Sequence, residues 1–577
     1  MLIPAKGTRL NWAVDPCDLA RALPFLWLVL VLGVRCFVGL DVTDEMQYQG
    51  QILGLIESGR LFSTDLFIQQ LVYLLFLPAF KLYHLVFGEV AFVLFGRVLL
   101  ALVLIALHEV VRKTLLRAGS TRWQSAVAAF AVTFAVPYHG IFALSYNTLS
   151  QCAWVVFAMW YLDPFKVSPW RWVALLVLAG LAHPVAALAM AVLLVVALFQ
   201  GQAVKWVQWG LAALAGLCFC LVLLLSFTSW ADVSRSLSFS RGFGVGGIAL
   251  WSHTLSGYSV AAFTVVMAAL VWIPSGPRQL SVVFAVAFSC LMVWAGLQLL
   301  TAQWSYSYTI EIAQVAGLLA MGAHLLARLR PVVEGFGASR VLRNLTVVGL
   351  VHFWVLVGTS SNGLSQGVGA LMPMIPLACA LVSVKPPYAS QRWVSLLLSL
   401  PVWLALLLAL IHWSVAPYRD RPWYSLDRGS SDVPAFRYLS VSAPNRALLD
   451  AYRKELGNEL RGRAALIASD RPVLYLALGA RPQTCMLYMH SSGDAASSEI
   501  LSGCLALRRP DVILDMLGSE GGRLDTPLRR IIREQALLRN MTCRDGQLNE
   551  HWIHAPPEAG AVSYRLCSVA TGRDSGH

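Results

Sequence analysis

Long stretches without a single charge constrain this chain more than any other feature. Leu211–Phe227, Val282–Leu300 and Trp393–Trp413 contain no Asp, Glu, Lys or Arg. Each approaches the roughly 20 residues that cross ~30 Å of hydrocarbon. One buried core cannot absorb so much apolar chain, whereas a bilayer can. Composition agrees: hydrophobic residues make up 57% and charged residues 13%, against about 25% charged in soluble domains. Lys6, Arg9 and Arg21 precede the apolar run Ala22–Leu40. That run has neither the short core nor the small-residue cleavage site of a signal peptide, so it reads as a retained first span.

The formal charge of +13 is unevenly distributed. Residues 1–415 hold 23 Lys+Arg against 13 Asp+Glu, and residues 416–577 hold 21 against 18. The excess lies in the apolar part, where basic loops report orientation rather than nucleic-acid binding. No nucleic-acid partner is expected. Spans at 22–40, 89–111, 123–143, 147–163, 170–182, 184–200, 206–227, 257–273, 279–300, 309–327, 343–358, 364–384 and 393–415 put the basic loops on one side. The expected architecture is thus an all-α polytopic membrane domain over 1–415 with thirteen transmembrane helices and a cytoplasmic N-terminus. Residues 41–88 form its first periplasmic loop, with Leu71–Val86 dipping into the interface rather than crossing.

Beyond Pro417 the chain turns polar, and residues 416–577 are long enough for a separate α/β or α+β domain on the periplasmic side. Ala464–Ile467, Pro472–Leu478 and Pro510–Asp515 read as strands, and Asn445–Leu460 and Thr526–Leu538 have helical spacing. Cys485, Cys504, Cys543 and Cys567 are an even set outside the cytoplasm, so two disulfides are expected, with the pairing open and four buried thiols as the alternative. No phosphate loop, zinc spacing or glycine-rich nucleotide fingerprint occurs in the tail.

The sharpest chemical signal is Asp41-Val-Thr-Asp44-Glu45-Met-Gln-Tyr48, directly after the first span. Adjacent carboxylates repel, which raises the proton affinity of one and suits it to general-base work. They also suit a divalent cation, the one cofactor considered; the alternative is a solvated loop start. Arg35 and Arg97 lie in the outer halves of the first two spans. An intramembrane arginine is costly, and its fork fits a phosphate, unless it pairs with an acid or snorkels. Arg235 and Arg241 sit in a later outer loop. His139, Tyr146, Asn147, His183, His253, Glu311 and Asn362 lie at span ends on the same expected face, where most aromatics serve as interface anchors.

Asp44-Glu45-x-x-Tyr48, Gly59-Arg-Leu-Phe, Gln70-x-x-Tyr73, Pro78, Lys81-Leu and then Arg97 together resemble the opening of glycosyltransferase superfamily C. Within it the pattern is most similar to bacterial lipid A aminoarabinose transferases and protein O-mannosyltransferases. Ser145-Tyr146-Asn147-Thr148-Leu149 and Asn362-Gly363 add to the resemblance, which covers roughly residues 20–160 by motif and the rest by architecture alone.

The resemblance implies an inner-membrane enzyme that moves a sugar from a polyprenyl-phosphate donor to an envelope lipid, glycan or protein, with inversion. Asp44 would be the general base, with Glu45 positioning the acceptor or tuning Asp44. Arg97, Arg241 and Arg235 would hold the donor phosphate, and Tyr48, Tyr73, Tyr146, Asn147, His183, Glu311 and Asn362 would line the substrate site. Many relatives carry Lys-Pro where this chain has His183-Pro184, so that lysine's contact has no obvious substitute. The competing readings are a transporter or flippase for lipid-linked glycans, and a polymerase or ligase acting on them.

Overall fold

The computed structural model describes residues 16–137, 141–163, 166–199, 206–239, 336–359, 420–421, 427–469, 471–484, 508–516, 527–548 and 562–569, with a few isolated positions between. The N-terminal part is helical: α1 Pro16–Phe37, α2 Asp44–Ser58, a 3-10 helix Ile68–Leu75, α3 Leu77–Phe87, α4 Phe92–Arg117, α5 Arg122–Ala135, α6 Tyr146–Tyr161, α7 Pro169–Ala182, α8 Pro184–Phe199 and α9 Trp206–Phe227. Residues 230–239 are also helical, and α10 runs Phe336–Thr359.

Local chemistry sets several of these boundaries. Thr121 and Gln124 form a reciprocal capping box at the start of α5, and Ser145 caps α6 by accepting the Thr148 N–H at 3.2 Å. Proline opens α7 and α8 at a position where its missing N–H costs nothing. Helix α2 ends at Gly59, whose φ of 64° suits a residue without Cβ, and its N–H reaches the Leu55 carbonyl.

The expectation of thirteen crossings is corrected. Among the described residues only α4 and α9 are long and apolar enough to cross a membrane. The count rises to three if the 3-10 helix and α3, bent by 73° at their junction, form one broken span. The apolar part of α1 (Leu23–Phe37), α7, α8 and the Val347–Leu356 stretch of α10 have only 10–17 residues. At 1.5 Å per residue α7 and α8, with 14 and 16 residues, fall short of ~30 Å. The expected breaks at Ser168-Pro169 and His183-Pro184 are where one helix stops and the next starts, but the helices between them are short. The expected spans at 257–273, 279–300, 309–327, 364–384 and 393–415 lie outside the described residues. Helix α9 is notable for its surface, because Leu211, Leu214, Leu217, Phe219 and Val222 are all exposed.

The C-terminal part is a sheet domain. Its helices are α11 Ala443–Leu460, α12 Val473–Leu478 and α13 Pro527–Leu538. Strands β1 Gly429–Ser430 and β2 Ser440–Val441 pair with each other. Strands β3 Ala464–Ala468, β4 Arg481–Pro482, β5 Val512–Asp515, β6 Thr542–Leu548 and β7 Val562–Ser568 form one mixed sheet in the order β4-β3-β5-β7-β6. Strand β3 runs parallel to β4 and β5, and β7 runs antiparallel to β5 and β6. Leu449, Tyr452, Leu456 and Leu460 line the buried face of α11 at helical spacing. The 472–478 segment is a helix rather than the expected strand. Short apolar runs fit either, and here Gly479 at φ 61° closes a helical turn.

Cys543 and Cys567 sit opposite each other on β6 and β7 and are disulfide-bonded. Cys485 and Cys504 lie outside the described residues. The bond ties down an edge strand that is otherwise largely exposed. The two cysteines are 24 positions apart, and closing that loop in the unfolded chain is worth about 3 kcal/mol. A reductant should therefore lower the melting temperature of the sheet domain, and Cys543→Ala should reproduce the shift without it.

Candidate functional site

The site grows from the turn between α1 and α2. Three carboxylates enter it, and each finds a different environment. Asp41 folds back on the chain: one oxygen accepts the Thr43 N–H (2.9 Å) and hydroxyl (2.7 Å), and the other accepts the Glu45 N–H (2.9 Å). It caps the first turn of α2, where the helix dipole favours negative charge.

Glu45 points inward and is 1% exposed. Burial raises its proton affinity, and the guanidinium of Arg97 opposes that. Arg97 comes from α4, which approaches α2 closely because residue 96 is glycine; a Cβ there would meet the Gln49 amide at 2.6 Å. All five N–H donors of Arg97 are engaged. Nε and Nη2 grip Glu45 at 2.7 and 2.6 Å, Nη2 also reaches the Gly39 carbonyl at 3.0 Å, and Nη1 reaches those of Cys36 and Val38 at 3.3 and 3.2 Å. Arg97 was expected at a donor phosphate. It instead fastens the end of α1 to the start of α2 with no donor left over. Glu45 likewise is a buried ion-pair partner rather than an acceptor contact.

Asp44 is the half-buried member of the trio. The Thr43 hydroxyl lies 3.5 Å from its Oδ2. Burial pushes the Tyr146 phenol up to about 12, the Asn147 side chain works against the rise, and the nearby Asp44 charge adds to it. The Tyr48 ring meets Tyr146 edge-on at 6.2 Å, and Tyr146 lies 6.4 Å from the His183 ring. The first turns of α2 and α6 and the α7–α8 break thus bring Asp44, Tyr48, Tyr146, Asn147 and His183 together. Tyr73, fully buried on the 3-10 helix, lies within electrostatic reach of Tyr146.

His183 is not a cation here. Its Nδ1 accepts the Ala186 N–H at 3.2 Å, which puts the ring proton on Nε2, 3.1 Å from the Thr359 hydroxyl. That hydroxyl itself donates to the Val355 carbonyl at 2.6 Å, so it accepts from the ring. His183 is a neutral link between the start of α8 and the end of α10. Arg235 is exposed and ion-paired to Asp232 on its own helix. Arg241, Glu311, Asn362, His139 and His253 lie outside the described residues. Among the described residues no group of three His, Cys, Asp or Glu side chains is placed to hold a metal.

The sheet domain braces the same turn from the other side. Gly39 donates its N–H to the Ser440 carbonyl at 3.0 Å, beside a parallel bridge from Val38 to Ser440. Leu40 donates to Asp420 Oδ2 at 3.0 Å, and Val473 donates to the Val42 carbonyl at 3.3 Å. Arg428 holds Asp420 (3.4 Å) and the Ser440 carbonyl (2.8 Å). Backbone groups of Cys36–Val42 are thereby fixed by α4 on one side and the sheet domain on the other, and Asp44 follows two residues later.

Sequence reasoning missed Asp65. It is fully buried, and its Oδ2 accepts Gln47 Nε2 (3.0 Å) and Gln51 Nε2 (2.8 Å) from α2, while Oδ1 accepts the Phe67 N–H (3.2 Å). The available signal was an acid enclosed by Leu61-Phe62 and Leu66-Phe67. Burial raises its pKa from 3.8 to about 6, with the Gln47 and Gln51 bonds working against the rise. A carboxyl that binds its proton more tightly when folded adds stability as pH falls through 6 toward 4, and loses it as pH rises. Asp65→Asn should flatten the pH dependence of the melting temperature across that window.

No protein-family model matches the chain, and no curated protein matches it.

Proposed function

We propose that this chain is a membrane-bound inverting glycosyltransferase that moves a sugar from a polyprenyl-phosphate donor to an envelope acceptor, with Asp44 as general base. One observation carries the reading. Of three clustered acids, two are committed to holding the turn, and the third lies within electrostatic reach of Tyr146, whose ring neighbours Tyr48 and His183. A half-buried carboxylate next to aromatic and amide groups that can bind a substrate suits a base.

In the proposed step Asp44 takes the proton of an acceptor hydroxyl as its oxygen attacks the anomeric carbon. The bond from that carbon to the phosphate oxygen breaks on the opposite face, and polyprenyl phosphate leaves. Arg97 and Arg235 are both engaged, so Arg241 is the remaining candidate for the departing phosphate. The apolar outward side chains of α9 suit a lipid surrounding. The Cys543–Cys567 disulfide suits an oxidising compartment for the sheet domain, in keeping with a periplasmic location.

The test is a mass comparison of envelope lipids, glycans and proteins from cells with and without the gene. A sugar-sized increment present only with the gene supports transfer and names the acceptor. Identical profiles with the protein expressed overturn the reading in favour of transport.

A further inference from the structure

Helix α6 carries a second set of polar groups that the Asp44 site does not use. At ~100° per residue, Ser150, Gln151 and Trp154 fall within an arc of about 100°, roughly 6–12 Å along the helix from Tyr146. Ser150, Gln151 and Trp154 are 0%, 1% and 0% exposed. The Ser150 hydroxyl, both ends of the Gln151 amide and the Trp154 indole N–H have no hydrogen-bond partner among the described residues. Leaving such a group buried and unpaired costs about 1–3 kcal/mol. Four such atoms on one helix face are therefore more than an accident of packing.

Ser150 makes the point most clearly. A helical serine or threonine in apolar surroundings usually returns its hydroxyl to the carbonyl four residues back. Thr114, Ser125, Thr133, Ser226 and Thr359 all do so here. Ser150 does not. The buried Tyr73 hydroxyl, which is within reach of Tyr146, is also unpartnered.

The groups are all neutral. They offer donors and acceptors in alternation, with the Trp154 ring among them, one face of which is stacked on the His352 ring at 4.5 Å. Such a surface does not suit a phosphate, which needs a cation, or a lipid tail, which needs no polar partner. It suits hydroxyls on a ring that also has an apolar face. We propose that the Ser150–Gln151–Trp154 stripe is the subsite that recognises the hydroxyls of the transferred sugar, with Gln151 the discriminating residue. This rests on the glycosyltransferase reading, and it assigns the sugar's place: against α6, one to two turns in from Asp44.

The test uses the full chain in lipid nanodiscs and measures binding of polyprenyl phosphate bearing a hexose, an N-acetylhexosamine, a pentose or no sugar. Wild type should bind one sugar-bearing lipid at least about tenfold tighter than the bare lipid, as one or two hydrogen bonds allow. Gln151→Leu should reduce that preference to near unity, leave affinity for the bare lipid unchanged, and raise the melting temperature of the ligand-free protein. Ser150→Ala and Trp154→Phe provide smaller changes should Gln151→Leu fail to fold, and each should weaken the preference. Preference retained in all three variants overturns the subsite, since the stripe then holds only water, and leaves the glycosyltransferase reading intact. Wild type without preference for any sugar overturns that reading, and the subsite falls with it.

Discussion

Asp44→Asn should abolish sugar transfer while leaving the melting temperature and the amount of membrane-inserted protein unchanged. General-base catalysis contributes typically 10²–10⁴-fold, and the amide keeps the shape of the carboxylate without its basicity. The neighbouring acids provide the contrast. Asp41→Asn removes one of two capping acceptors and should cost about 1 kcal/mol of stability, because the Thr43 and Glu45 N–H groups are held by different oxygens. Glu45→Gln leaves Arg97 with a neutral partner and should destabilise further. Both should lower activity only as far as they lower the amount of folded protein. Transfer measured per folded molecule, in membrane fractions, separates the three. An Asp44→Asn protein with full activity would remove the base assignment, and equal losses per folded molecule at all three positions would make the cluster structural.

What the sequence made legible was local. Periodicity marked the helix over Asn445–Leu460 and the strand over Ala464–Ile467, and the acid cluster after the first apolar run marked the candidate site. What it hid depended on partners far along the chain. Three adjacent acids look alike until α4 arrives, and only Gly96 and Arg97, some 50 residues on, decide that Glu45 turns inward. The Ala186 N–H sets the tautomer of His183 locally, but the acceptor of its Nε2–H, Thr359, lies 176 residues away. Asp65 looked like one more loop acid because its partners, Gln47 and Gln51, read as ordinary polar positions on α2. Apolar runs showed that much of the chain avoids water. The prolines marked the cuts at Ser168-Pro169 and His183-Pro184, but apolarity did not tell a span from a shorter buried helix.

Arg97→Met should be among the most destabilising single changes in the N-terminal part. It leaves the Glu45 carboxylate buried without its cation, a loss of about 3–5 kcal/mol. It also strips three carbonyls at the end of α1 of a donor. Arg97→Lys should recover little, because one ammonium cannot reproduce a fork that meets two carboxylate oxygens and three carbonyls at once. The double variant Arg97→Met/Glu45→Leu should regain much of the stability, since a buried pair replaced by apolar groups of similar size is often nearly neutral. Melting temperature and protease resistance in detergent read these effects, and the double-variant cycle isolates the pair. A phosphate-binding arginine behaves differently: Arg97→Met would fold normally and bind the donor lipid weakly, and Glu45→Leu would restore nothing. That pattern would return Arg97 to the donor site. Stability rescued by the second substitution, with transfer recovered alongside it, would establish that this arginine serves Asp44 by holding the turn that presents it.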